Sequence, residues 1–131
     1  MATSFLASSA SSPFPFLSAE QFDQLLANGR MSQAYQARDA FFDPHPIVKL
    51  FTPGAHAVWL LTEVDPQATS IAFGLGDLGL GFPEMGCVDL AALQAVCISG
   101  RLRIAQDAHF HAAKSLGQYA QDARRAGRIV T

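Results

Sequence analysis

Five carboxylates, Glu63, Asp65, Asp77, Glu84 and Asp89, stand in a stretch from Leu50 to Gly100 that holds no Lys or Arg. Carboxylates that converge can act as acid and base, or hold a hard cation through several oxygens. Carboxylates that stay apart make an acidic surface, which repels phosphate and attracts basic partners. Glu63 and Asp65 are two residues apart, so an uninterrupted strand would point them the same way. In a hairpin, Asp77 falls at the opposite end from them. The spacing therefore weakens a single cluster of Glu63, Asp65 and Asp77, and Glu63, Asp65, Asp77 and Glu84 are read as a binding surface. No catalytic residue, metal ligand set or cofactor is assigned.

Two further patterns resemble sites. Asp107-Ala-His109-Phe-His111 would align three ligands on one face of a strand, as zinc prefers, but in a loop the spacing carries no such meaning. Gly74-Leu-Gly76-Asp-Leu-Gly79 matches the dinucleotide fingerprint. That fingerprint needs a helix to follow directly, whereas Gly81 and Pro83 come next. These glycines read as turn formers and as points of close backbone packing. No Ser or Cys carries a nucleophile signature. Cys87 and Cys97 fit no paired motif and read as small buried hydrophobes in a reducing compartment.

The chain has 131 residues, half of them hydrophobic and 15% charged, enough for one domain with a core. Net charge is −2, with residues 43–111 at −4 and residues 112–131 at +3. No global basic field advertises nucleic-acid binding. Arg124, Arg125 and Arg128 suit a helix C-terminus, or at most a weak phosphate contact. No run is long enough to cross a membrane, and a cytoplasmic location is expected. Residues 1–17, rich in Ser, Phe and Pro, read as a flexible tail, and 18–131 as one domain.

The elements that would position these groups are legible in order. Ser18-Ala-Glu-Gln21 is a capping box opening a helix, with Phe22, Leu25 and Leu26 on one face. Asn28-Gly29 reads as its end, with a weaker helix from Met31 to Phe42. Strands are expected at 47–51, 57–64, 70–75 and 85–88. The second contains Val58-Trp-Leu-Leu61, apolar on both faces, and so is central. Asp89 caps a helix expected through Cys97, residues 101–105 form a short strand or arm, and Ser115 opens a C-terminal helix. The connections between strands are too short for crossovers. The fold expected is α+β, a small and mainly antiparallel sheet of about four strands over residues 47–88 with flanking helices.

Longer strings carry a family resemblance. They are His45-Pro-Ile-Val-Lys-Leu-Phe-Thr-Pro53, Trp59-Leu-Leu-Thr-Glu-Val-Asp65 and Phe73-Gly-Leu-Gly-Asp-Leu-Gly-Leu-Gly-Phe-Pro-Glu84, with Leu25-Leu-Ala-Asn-Gly29 and the segment around Tyr119, Ala123 and Arg124. Over residues 20–129 the chain resembles a domain-of-unknown-function family found on bacterial plasmids and integrative conjugative elements, often near antirestriction genes. The resemblance implies an accessory protein of mobile DNA, acting on a host or element-encoded protein, with interference in host defence as the leading role. Two alternatives stand beside it: a small metal-dependent hydrolase using the carboxylates, and a weak nucleic-acid binder led by the arginines.

Overall fold

A computed structural model describes residues 12–96 and 100–131. Helix α1 (Ala19–Ala37) precedes strands β1 (Val48–Phe51), β2 (Val58–Asp65), β3 (Ala68–Asp77) and β4 (Glu84–Asp89). Helix α2 (Leu90–Ala95), strand β5 (Ala105–Gln106) and helix α3 (Leu116–Ala126) complete the order. The sheet runs β4-β3-β2-β1-β5, antiparallel throughout. The fold is α+β as expected, with the 101–105 arm contributing a short fifth strand at Ala105–Gln106.

Central β2 explains why its apolar residues face both ways. Trp59, Leu61 and Val64 join Leu25, Leu50, Val88 and Leu90 in a core beneath α1 and α2. Leu60 joins Leu75, Leu116, Tyr119, Ala120, Ala123 and Ile129 beneath α3. Each fully buried leucine contributes roughly 1.5–3 kcal/mol relative to exposure. One extra residue, Thr62, sits between the pairs Leu61–Gly74 and Glu63–Phe73. This bulge resets the alternation, so that Val64 returns to the α1 side opposite Ala72. The Thr62 hydroxyl donates to the Phe73 carbonyl at 3.2 Å, and the Thr62 carbonyl accepts from Asn28 Nδ2 at 2.9 Å.

Three expectations about boundaries and burial change. The Ser18 capping box forms as read, but α1 runs straight through Asn28-Gly29 and stops only at Arg38, with Asp39 left-handed at φ 54°. The reason is a contact: a Cβ at Gly29 would lie 1.9 Å from the Val64 carbonyl oxygen. Glycine here lets helix and sheet touch backbone to backbone. Second, the segment before Ser18 is not all tail, because Phe14, Phe16 and Leu17 are buried, with the two phenyl rings stacked at 5.8 Å. The Gln106 side chain donates to the Phe16 carbonyl at 2.8 Å, which fixes this segment to β5. Residues 1–11 of the expected tail lie outside the described residues. Third, Cys87 is exposed rather than buried. It lies on edge strand β4, where burial on both sides is not available. Cys97 lies outside the described residues.

Candidate functional site

The carboxylates do not assemble into one face. The β2–β3 hairpin places Glu63 and Asp65 near its turn, while Asp77 pairs with Val58 and Glu84 with Gly76 at the other end. The two ends, Asp65 and Val58, are roughly 20 Å apart along β2. Asp89 is occupied as the N-cap of α2, accepting from the amides of Ala91 and Ala92.

Asp77 leaves the candidate surface altogether. It is 3% exposed, with Oδ1 accepting from Gly79 N–H at 2.8 Å and Oδ2 from Ile129 N–H at 2.9 Å. One carboxylate thus fastens the glycine-rich loop to the segment that follows α3. Gly79 and Gly81 take φ of +80° and +88°, and the chain passes from β3 to β4 without a helix, so the loop offers no dinucleotide site. Gly74 and Gly76 are close-packing points, against the Leu60 carbonyl and the Trp59 ring.

Glu63 and Asp65 line a cleft of about 430 Å³ beneath residues 40–42, together with Ser32, Gln33, Tyr35, Gln36, Phe73 and Cys87. The second register shift, between Val64 and Asp65, takes up its extra residues on β3, and both acids reach this cleft. Burial pushes the Glu63 carboxyl above its ordinary range. The Ser32 hydroxyl opposes that shift by hydrogen bonding, and the neighbouring Asp65 charge adds to it. Tyr35 and Phe42 pack at 4.9 Å between centroids along the same wall, and the Arg38 guanidinium lies 5.1 Å over the Tyr35 ring.

The opposite end of the sheet holds what the residue patterns did not single out. Leu78, Leu80, Phe82 and Met85 are 64%, 72%, 77% and 40% exposed. With Glu84, Gly86 and the edge of Trp59 they surround an open cleft of about 500 Å³. The Phe73–Glu84 string had been read for its glycines, and the apolar residues between them are the ones displayed. Four large apolar side chains gathered on one loop and strand are more than scattered surface hydrophobicity.

The family described as a protein of unknown function, DUF2958, matches residues 16–130. The chain belongs to the DUF2958 family. No curated protein and no solved structure matches it. The match takes in Phe16 and Leu17, consistent with their burial in the DUF2958 domain.

The remaining motifs of this DUF2958 chain have local explanations. Asp107 Oδ1 accepts from His109 N–H at 2.9 Å, and Oδ2 lies 3.6 Å from Lys49 Nζ. His109 and His111 are exposed in a loop beyond β5, where strand alternation does not apply. Among the described residues, no group of three or more His, Cys, Asp or Glu side chains is placed to hold a metal. Arg124 and Arg125 stand in the last turn of α3, where the helix dipole favours cations, and Arg125 lies 3.6 Å from Asp122.

Proposed function

We propose that this DUF2958 domain is a binding module that engages a protein partner at the Leu78–Met85 end of its sheet. The observation that carries the reading is the exposed apolar group Leu78, Leu80, Phe82 and Met85 beside Glu84. An apolar centre with charge at its rim is the arrangement that gives protein interfaces both affinity and orientation. Glu63 and Asp65 are a separate acidic pair at the far end, with Arg38 over Tyr35 on the wall of their cleft, so the charge at this surface is that of Glu84, within a stretch from Leu50 to Gly100 that holds no Lys or Arg. Such a surface suits a basic groove on another protein, of the kind that otherwise takes nucleic acid.

The setting we propose is that of an accessory protein of mobile DNA that interferes with a host defence system, of antirestriction or anti-CRISPR type. Its support is the resemblance of the Trp59–Asp65 and Phe73–Glu84 strings together with this acidic, apolar surface. The hydrolase alternative is less favoured, because Glu63 and Asp65 are separated from Glu84 by the length of the hairpin and Asp77 is buried among backbone donors.

The test is affinity capture from a host lysate with mass spectrometry, comparing the parent chain with Leu80→Ser and Phe82→Ser. Both positions are exposed, so the variants should keep the parent's melting temperature while losing the captured protein. Capture should weaken as salt rises and persist in EDTA. Equal capture by the variants would overturn this surface, and loss in EDTA would revive a metal site.

A further inference from the structure

The geometry points to the outer edge of β4 as a strand-addition site for an extended, basic segment of another protein, with the cleft floored by Trp59 taking one of its apolar side chains. This deepens the binding role proposed above and rests on it. Among the described residues, β4 pairs only with β3, through the register Ile71–Asp89 to Gly76–Glu84, and no strand pairs with its other side. Alternate residues of its six therefore present unpaired N–H and C=O groups. Such a row templates another strand unless it is covered, bulged or blocked by charge.

The middle of β4 is open. A Cβ built on Gly86 would meet nothing within 4 Å. Gly86 itself lines the Leu78–Met85 cleft, which on the same face reaches Trp59, itself 8% exposed. A side chain from an added strand has room over Gly86 and apolar walls beside it.

Charge selects the occupant. The ends of β4 are Glu84 and Asp89, and there is no Lys or Arg between Leu50 and Gly100. A second copy adding antiparallel along the whole strand would set Glu84 of each copy opposite Asp89 of the other. Like charges directly opposite across strands are unfavourable. The same two residues attract a strand carrying Lys or Arg at those positions. The edge is thus closed to its own kind and open to a basic partner.

The probe is the acetylated valine–lysine peptide Lys-Val-Thr-Val-Thr-Lys, which added antiparallel sets its two lysines opposite Asp89 and Glu84 and its second valine opposite Gly86, with a valine–glutamate counterpart carrying glutamate at both ends as control. Trp59 is the only tryptophan, so its emission reports the cleft, while amide hydrogen exchange over residues 84–89 reports the edge. The valine–lysine peptide should shift Trp59 emission and slow exchange in β4, and the valine–glutamate peptide should do neither. Glu84→Lys, at an exposed position, should weaken the valine–lysine peptide by roughly tenfold. A version N-methylated at every residue keeps the side chains but loses the donors, and should not bind. No slowing of β4 exchange at saturating peptide, equal binding of the N-methylated version, or a parent chain already dimeric through β4 would each overturn the proposal. Capture of a partner through Leu80 and Phe82 without slowed exchange at β4 would overturn strand addition and leave the binding module standing. Loss of both would overturn the two together.

Discussion

Gly29→Ala is the substitution for which local and tertiary reasoning give opposite signs. Gly29 lies inside α1, and replacing a mid-helix glycine by alanine ordinarily stabilises by about 1 kcal/mol. Here the new Cβ would stand 1.9 Å from the Val64 carbonyl oxygen and 3.1 Å from Pro66 Cδ. Ordinary contact begins near 3.4 Å, so α1 must withdraw from the sheet by roughly 1.5 Å, the difference between the two distances. Both atoms that must separate are backbone or ring, and neither can swing aside as a flexible side chain does. Overpacking of this kind costs about 1–3 kcal/mol. The withdrawal also stretches the 2.9 Å bond from Asn28 Nδ2 to the Thr62 carbonyl, worth about 1 kcal/mol. Against the propensity gain, the net loss is about 2 kcal/mol, a fall in Tm of roughly 5–10 °C for a domain of this size. Thermal and urea unfolding of the variant measure it. A double-mutant cycle sharpens the test, since Asn28→Ala should cost less in the Gly29→Ala background, where its bond is already strained. A Gly29→Ala chain as stable as its parent would show that helix and sheet do not touch here.

Other perturbations probe separate joints. Asp77→Ala should lower stability by about 2–3 kcal/mol in urea unfolding, because the buried N–H of Ile129 and the part-buried N–H of Gly79 lose a charged acceptor; a loss under ~0.5 kcal/mol would mean the loop is not fastened there. Phe16→Ala should cost about 3 kcal/mol by the same measurement, and an unchanged midpoint would return that segment to the status of tail. For Glu63 the folded carboxyl titrates above the unfolded one, so this residue favours folding at low pH and loses that contribution as pH rises through its raised value. Glu63→Gln should therefore raise Tm at pH 7 relative to the parent, with the advantage fading once both folded and unfolded carboxyls are protonated in the parent. A difference that does not vary with pH would refute the assignment.

Signals confined to a few neighbouring residues were legible in the sequence. Ser18 and Gln21 form their reciprocal cap, Asp89 and Ser115 cap the helices they precede, and Trp59-Leu-Leu61 faces cores on both sides. What escaped depends on distant partners. Asn28-Gly29 has the letters of a helix end, and only Val64 across the interface makes it a contact. Phe14 and Phe16 alternate with Pro13 and Pro15 with no period to count, and Gln106 anchors the segment at the Phe16 carbonyl. Asp77 looked like a surface acid because its second donor, Ile129, is fifty-two residues away. The candidate surface was half legible: Glu84 was named from its charge, but the exposure of Leu78, Leu80 and Phe82 follows from two left-handed glycines that turn the loop outward.

The bond from Asp77 to Ile129 has a consequence for the order of assembly. The β2–β3 and β3–β4 pairings are local in the chain and can close as soon as their residues leave the ribosome. The carboxylate of Asp77 cannot complete its pairings until Ile129 has been made and α3 has docked on Leu60 and Leu75. A nascent chain halted before that point would carry the meander with Asp77 bonded to Gly79 but not to Ile129, and the Leu78–Phe82 loop held from one side only. The surface proposed for binding is therefore finished last, when synthesis has reached the far side of the sheet.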